Sequence, residues 1–341
     1  MTTFINIHTL ISHPSSMMNR DDSGLQKTAV FGGSVRSRIS SQCLKRSIRQ
    51  SDLYVNAVEE KSIRTNKFDE LLQLCIEQMP DIDKKLIEDV LLNMGSKVKK
   101  EKDKETAEIH RYFDAVQPYA LGAIREAVNM VQAGIDLKEL KKTVHIPTFD
   151  VALSGRMDAS CPDRNVEAAM SVAHSITTHS ADIEVDWFTA CDDLAEQGSG
   201  HIGTTEFSSG VFYRYASINL DLLAENVKAT IADVAPIVKT IVRCFAQVTP
   251  SAKQKVFAAH NQADFVLVTQ SDQPLSLANA FRKPIDNSGE VMERSIEELI
   301  KHYEKLINAY DIDSKAMGLD LTETAKSDQI IWVSKISDIQ F

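Results

Sequence analysis

The residues of this chain best suited to chemistry lie at 31–50, FGGSVRSRISSQCLKRSIRQ. Between 23 and 51 there is no Asp or Glu, while Lys27, Arg36, Arg38, Lys45, Arg46 and Arg49 all fall inside. The chain as a whole is acidic, with a formal net charge of −10. A basic island on an acidic protein points to a specific anionic ligand rather than a generally sticky surface. Gly32-Gly33 frees the backbone to turn and to approach a ligand closely. Arg36 and Arg38 follow at strand spacing, so their side chains share a face. Ser40-Ser41 offers an N-cap. On the short helix after it, Gln42, Lys45, Arg46 and Arg49 line one side, and Leu44 and Ile48 face a core on the other. A strand, a helix N-terminus and a basic helix face together suit the gripping of phosphates. The plainer reading is a solvated basic surface beside acidic neighbours. A nucleotide phosphate loop ending in Gly-Lys-Ser/Thr is absent.

The elements that must position this island alternate in type. Residues 4–11 alternate apolar and polar and read as a first strand, and 12–26 as a loop. Residues 54–140 read as mostly helical, with apolar helical spacing over 68–79 and 82–94 and another helix near 112–133. The charge-dense run 97–108 reads as a mixed-charge surface segment. Residues 144–157 read as strand closed by a Gly turn, and 166–178 as helix. In 183–220, two strand-like arms flank a Gly-, Ser- and Asp-rich centre, a connection long enough to be functional. A helical region at 222–247 and a strand at 265–269 follow. A final helix opens on a capping box, Ser295 with Glu298, and carries an apolar face of Ile296, Leu299, Ile300 and Tyr303. No short repeat or low-complexity linker is visible. This mixed order argues for an α+β protein and against a doubly wound sheet.

Length and composition set outer bounds. At 341 residues, two domains, or one with large insertions, are the expectation. No stretch approaches a bilayer-spanning run, and the N-terminus lacks the form of a signal peptide. The five cysteines are scattered without a CxxC pair, so neither a disulfide framework nor a zinc site is expected. The chain reads as cytoplasmic, with reduced thiols and no membrane partner.

Five blocks carry a resemblance: FINIHTLISHPSSMMNRDD, FGGSVRSRISSQCLKRSIR, DVALSGRM, SITTHSADIEVDWFTACDDLAEQGSGHIGTTEFSSGVFYRYASINL and LSLANAF. In this order they resemble the CasC branch of the Cas-seven family, the backbone subunits of the type I-E CRISPR surveillance complex, Cascade. The resemblance covers most of the chain outside 54–143 and the last ~50 residues. It implies a modified RRM (ferredoxin-like) palm with inserted helical fingers and an extended β-hairpin thumb. The implied boundaries are 1–55 for the first part of the palm, 56–143 for the fingers and 144–182 for the return. The thumb takes 183–216, and 217–341 holds the rest of the palm with C-terminal helices. It also implies that several copies stack along a CRISPR RNA and present it to a target DNA strand beside other Cascade subunits. Such a scaffold is non-catalytic and needs no cofactor or metal.

The resemblance places Arg20, Arg38, Gln42, Lys45, Arg46 and Arg49 on the RNA backbone. Such contacts are sequence-blind and suit a carrier of any guide. Arg36 joins them or pairs with Asp21 or Asp22. Ser40 contacts a phosphate or serves only as an N-cap. Met157, following a Gly turn, is implied as a wedge beside a base, the alternative being a core gap-filler. Phe188, Thr189, Cys191 and Ile202 match positions around the displaced nucleotide, where aromatic stacking tolerates any base. Trp187 reads more readily as a core contact, and Tyr213 and Tyr215 as hairpin packing. Gly198, Gly200 and Gly203 are expected to bend the thumb tip. Lys138, Lys141 and Lys142 lie near where the family presents lysines to DNA, although a solvated helix face is the better reading of them.

Two other classes compete. Nine histidines include no strong metal pattern. The adjacent acids Asp21-Asp22 and Asp192-Asp193 leave open a metal-dependent endoribonuclease using loop aspartates. A self-assembling protein would instead pair the basic island with acids such as Asp192, Asp193 and Glu196 of the next copy.

Overall fold

The computed structural model describes residues 2–95, 97–102, 108–142, 147–159, 162–191 and 199–341. They divide into two compact units. One takes Met1–Ala57, Ser171–Leu220 and Ala235–Phe341, the other Val58–Met170 and Asp221–Val234.

In the first unit β1 (Phe4–Ser16), β2 (Thr28–Phe31), β3 (Ser34–Ile39), α1 (Ser41–Gln50) and α2 (Asp52–Val55) come first. β7 (Met170–Val172), β8 (Ser175–Thr177), β9 (Glu184–Cys191), β10 (Ser199–Asn219) and α8 (Ile231–Gln247) come next. The chain then runs through α9 (Gln254–Phe257), β11 (Phe265–Ser271), α10 (Val291–Ala309), β12 (Ser314–Asp320) and β13 (Ile330–Trp332). Among the described residues these strands form a ten-stranded sheet, ordered β13-β12-β11-β1-β10-β8-β3-β2, with β7 and β9 also paired to β10. β1 is central and antiparallel to both neighbours; Ile7 opposes Ala216 on one side and Val268 on the other. It is buried continuously from Ile5 to Ile11, because both faces of the sheet are covered. The apolar stripe of α10 (Ile296, Leu299, Ile300, Tyr303) packs with Leu10, Tyr213, Tyr215, Phe265 and Leu267.

Two polar groups are built into this core. The Tyr213 hydroxyl accepts from Leu277 N (3.1 Å) and is hydrogen-bonded to His8 Nδ1 (2.9 Å). Arg214 donates to Phe245 O (3.1 Å) and Val248 O (2.8 Å), closing the C-terminal end of α8 with a cation. Its other amine lies 3.2 Å from His13 Nε2, which must accept. Burial lowers the pKa of both histidines and so favours their neutral forms.

The second unit holds β4 (Ile63–Lys67), α3 (Phe68–Gln78), α4 (Lys84–Met94), β5 (Val98–Lys102), β6 (Ile109–Tyr119), α5 (Leu121–Gln132), α6 (Phe149–Ser154) and most of α7 (Leu220–Val227). Its three strands are ordered β4-β6-β5. One face lies under α3, α4 and α5 around Phe68, Leu91, Phe113 and Val128.

The α+β class is as expected, but four local readings are corrected. The stretch expected to be helical carries this three-stranded sheet, and β6 occupies the start of the helix expected near 112. Pro118 lies inside that stretch and cannot sit in a helix interior; α5 begins only at Leu121. The helix expected at 166–178 is β7 and β8, with Ser175 and Thr177 buried in the sheet. In the strand expected at 144–157, Phe149–Ser154 is helix, entered at Thr148 in extended backbone. Ser295 is no cap: α10 starts at Val291, and the buried Ser295 hydroxyl donates to Val291 O (2.5 Å). No described helix is long and apolar enough to cross a membrane.

Candidate nucleic-acid interface

The basic island starts on the β2–β3 hairpin, whose turn is Gly32-Gly33. Gly32 has φ +60°, and a Cβ there would stand 1.6 Å from Arg282 O; Gly33 has φ +79° and open space around it. The pair thus makes a turn seated against a carbonyl, not an approach to a ligand. Gly33→Ala is expected to cost the left-handed backbone alone, about 1 kcal/mol. Gly32→Ala adds a collision with backbone and should cost several times more. Urea midpoints of the two variants measure this; equal shifts would refute the seating.

Arg36 is fully buried. Its guanidinium donates to Thr177 O (2.8 Å) and Phe281 O (2.9 Å), and the ring of Phe31 lies 5.8 Å away. Burial without an acid lowers its pKa. Arg36 is thus a bolt between segments, not a phosphate ligand, and Asp21 is not its partner. Asp21 Oδ1 instead accepts from Ser23 N and Leu25 N (both 2.9 Å), a turn that displays exposed Arg20. Arg38 is half-buried, its Nε donating to Thr28 O (3.0 Å).

Ser40 caps α1: its Oγ accepts from Cys43 N (3.2 Å), and its own N–H donates to Asn19 Oδ1 (2.9 Å). It is nearly buried, so capping is the role its position fits. Leu44 and Ile48 are buried beneath α1, while Gln42 and Arg46 are exposed and Lys45 and Arg49 half-exposed. The helix face is thus amphipathic in the sense its spacing requires. His174, which the sequence suggests only as a structural histidine, joins this surface: its Nδ1 accepts from Ser41 N (3.0 Å) at the helix start. Burial and the nearby Arg38 and Lys27 lower its pKa. Only the pairing of Arg38 with Ile176 and Ile39 with Ser175 brings it there, and no local pattern reports that.

β10 runs unbroken from its pairing with β9 into the centre of the sheet, where Phe4 to Ser16 pair along it. On the β9–β10 hairpin Thr189 opposes Ile202 and Phe188 opposes Gly203. A Cβ on Gly203 would meet the Phe188 ring at 2.5 Å, so Gly203 seats that ring within an extended strand and does not bend a tip. Gly200 also lies within β10. Trp187 is 72% exposed and Ile202 62% exposed; the expected core contact for Trp187 is corrected, since its strand face is open. Phe188 is 43% exposed. Tyr213 and Tyr215 belong to the sheet core instead. Asp192, Asp193, Glu196 and Gly198 lie outside the described residues, as does the side chain of Cys191.

In the second unit Met157 is 82% exposed, its carbonyl held by Gln117 Nε2 at 2.9 Å. It follows Gly155, which has φ +79°, so Met157 is displayed and does not fill the core. Lys138 is exposed on a 3-10 turn at Leu137–Lys142; the side chains of Lys141 and Lys142 lie outside the described set. Among the described residues no three His, Cys, Asp or Glu side chains converge as a metal site.

Fold and site together define an α+β protein that displays a cationic helix face and a long, partly apolar hairpin, parts suited to meeting a polyanion. The chain belongs to the CT1975-like protein family, whose model matches residues 5–335. It is similar to a chain of a CRISPR RNA-guided surveillance complex described as pre-nicking, at 29% identity and TM-score 0.83, covering 98% of this chain and 97% of that one. A second CRISPR RNA-guided surveillance complex contains a chain 26% identical, TM-score 0.64, with coverage of 97% and 95%. No curated protein matches the chain.

Proposed function

We propose that this chain is the RNA-carrying backbone subunit of a type I-E-like Cascade in antiviral defence. Several copies stack along a CRISPR RNA in the cytoplasm and present it for pairing with target DNA. The observation that carries this reading is the α1 face: Gln42, Lys45, Arg46 and Arg49 outward over buried Leu44 and Ile48. It stands on an acidic chain similar, over nearly its whole length, to subunits of CRISPR RNA-guided surveillance complexes.

In this reading the ten-stranded sheet is an RRM-like palm, the second unit forms the fingers, and the β9–β10 hairpin is the thumb. Arg20, Arg38, Lys45, Arg46 and Arg49 take phosphates without reading sequence. Met157, Phe188, Thr189 and Ile202 pack against bases, and exposed Val185 and Trp187 on the hairpin meet a neighbouring copy. Arg36 and Ser40 support the site from beneath. The subunit is non-catalytic.

The test is copurification. The tagged chain is expressed with partner subunits and a CRISPR array, and the extracted nucleic acid is run on a denaturing gel. A discrete RNase-sensitive band of guide length, with this subunit in stoichiometric excess, is expected. A chain free of RNA while its partners assemble would overturn the reading and leave a metal-dependent endoribonuclease using Asp192 and Asp193.

A further inference from the structure

One nitrogen of the His174 ring is bonded within the protein, and that bond fixes what the other nitrogen can do. His174 precedes β8, where Ser175 opposes Ile39 and Ile176 opposes Arg38. Lys27 is tied into the same corner. Its N–H donates to Asn19 O (2.9 Å) and its carbonyl accepts from Arg38 N (2.8 Å), while Asn19 Oδ1 accepts from Ser40 N (2.9 Å). His174 Nδ1 accepts from Ser41 N (3.0 Å). A ring nitrogen that accepts carries no proton, so the neutral imidazole holds its proton on Nε2 and presents a donor there. The side chain is exposed, and Nε2 has no hydrogen-bond partner among the described residues. The charges acting on the ring are Arg38 and Lys27, and no acid joins them. Together with partial burial they lower its pKa, which keeps the ring uncharged at neutral pH.

We propose, resting on the guide-binding reading of α1, that His174 is itself a ligand of the RNA, its Nε2–H donating to a phosphate oxygen beside Lys27 and Arg38. Such a donor differs in kind from its neighbours. A lysine or arginine brings charge to a phosphate and releases counterions. A neutral N–H brings a directed hydrogen bond and releases none. Protonation of the ring would turn Nδ1 into a second donor facing the Ser41 N–H, so the contact with α1 favours the neutral form. The competing account is that His174 only holds the first turn of α1; Nε2 would then face water in the complex.

The full-length chain is titrated with fluorescein-labelled rU20 at pH 7.5 and followed by anisotropy at several salt concentrations. In His174→Asn the side-chain oxygen takes the place of Nδ1 and keeps the Ser41 bond, but nothing reaches the place of Nε2. Affinity is expected to fall about tenfold, with the salt slope unchanged. Lys45→Ala, which removes a charge, should instead flatten that slope by about 0.7. His174→Gln returns an N–H to the place of Nε2 without the acceptor at Nδ1. It should recover most of the affinity, yet show a lower urea midpoint than His174→Asn. Wild-type affinity in His174→Asn would overturn the proposal and leave the ring as a support of α1. So would His174→Gln binding as weakly as His174→Asn. A flattened slope in His174→Asn would overturn the neutral donor and make the ring a cation. Lys45→Glu with Arg49→Glu tests the guide face by itself. Wild-type affinity in that variant would refute the α1 reading, while His174→Asn still decides the part of the ring. Absence of rU20 binding by the wild type would overturn both.

Discussion

Lys45→Glu combined with Arg49→Glu is expected to abolish retention of guide RNA while the protein stays folded. Both side chains lie on the half-exposed flank of α1, and the helix is held by Leu44 and Ile48 on the opposite flank. Charge reversal there leaves the apolar contact intact, so unfolding free energy should move by less than about 1 kcal/mol. Each reversal removes a phosphate contact and adds a repulsion. Losing two contacts to a single strand should lower the salt slope of any residual binding by about 1.4. The readout is the denaturing gel of copurified RNA together with a thermal melt. Full-length guide recovered with the double variant would mean that α1 is not the grip. A collapsed melt would mean that the charges hold the fold, as they do at Arg36.

The contrast between α1 and Arg36 shows what the sequence could report. A helix announces its two faces within one stretch, so the buried pair Leu44 and Ile48 was readable from spacing. A strand announces only alternation, and which face is covered depends on what arrives from elsewhere. For Arg36 the covering groups are Thr177 O and Phe281 O, 141 and 245 positions away. No local pattern distinguishes that from Arg38, which shares its strand. Trp187 errs in the opposite direction, since its size suggested a core and its strand faces outward. Glycine was misread for the same reason: Gly32 and Gly203 serve close packing against Arg282 O and the Phe188 ring, which sequence shows only as freedom to bend. The hairpin arms were legible because alternation persists along β10. β7 and β8 were not, being short strands defined by their partners. The exposure of Met157 entered through family resemblance, because a lone Met after a turn carries no sign of its own.

Acid should destabilise the first unit well above the range where carboxylates titrate. Burial holds His8 down to about 3, and burial with the neighbouring charge of Arg214 holds His13 at about the same value. In the unfolded chain both titrate near 6.5. Above that pH neither state is protonated and the histidines contribute no pH dependence. Between roughly 6.5 and 3 the unfolded chain binds protons that the folded chain refuses. Stability therefore falls as pH falls, by up to about 1.4 kcal/mol per pH unit for each histidine, and levels off below 3 for these two groups. His174, His179 and His302 are lowered as well and act with the same sign. The cause is burial first, at both imidazoles; at His13, Nε2 also already receives an Arg214 N–H, so a further proton has no place at that atom. Urea midpoints at pH 7.5, 6.5 and 5.5 should drop progressively, with net proton uptake on unfolding at pH 5.5. His13→Gln keeps an acceptor for Arg214 but cannot titrate, so it should reduce that uptake by about one proton. A midpoint unchanged from pH 7.5 to 5.5 would mean that these imidazoles are reached by water in solution and that burial does not hold them neutral.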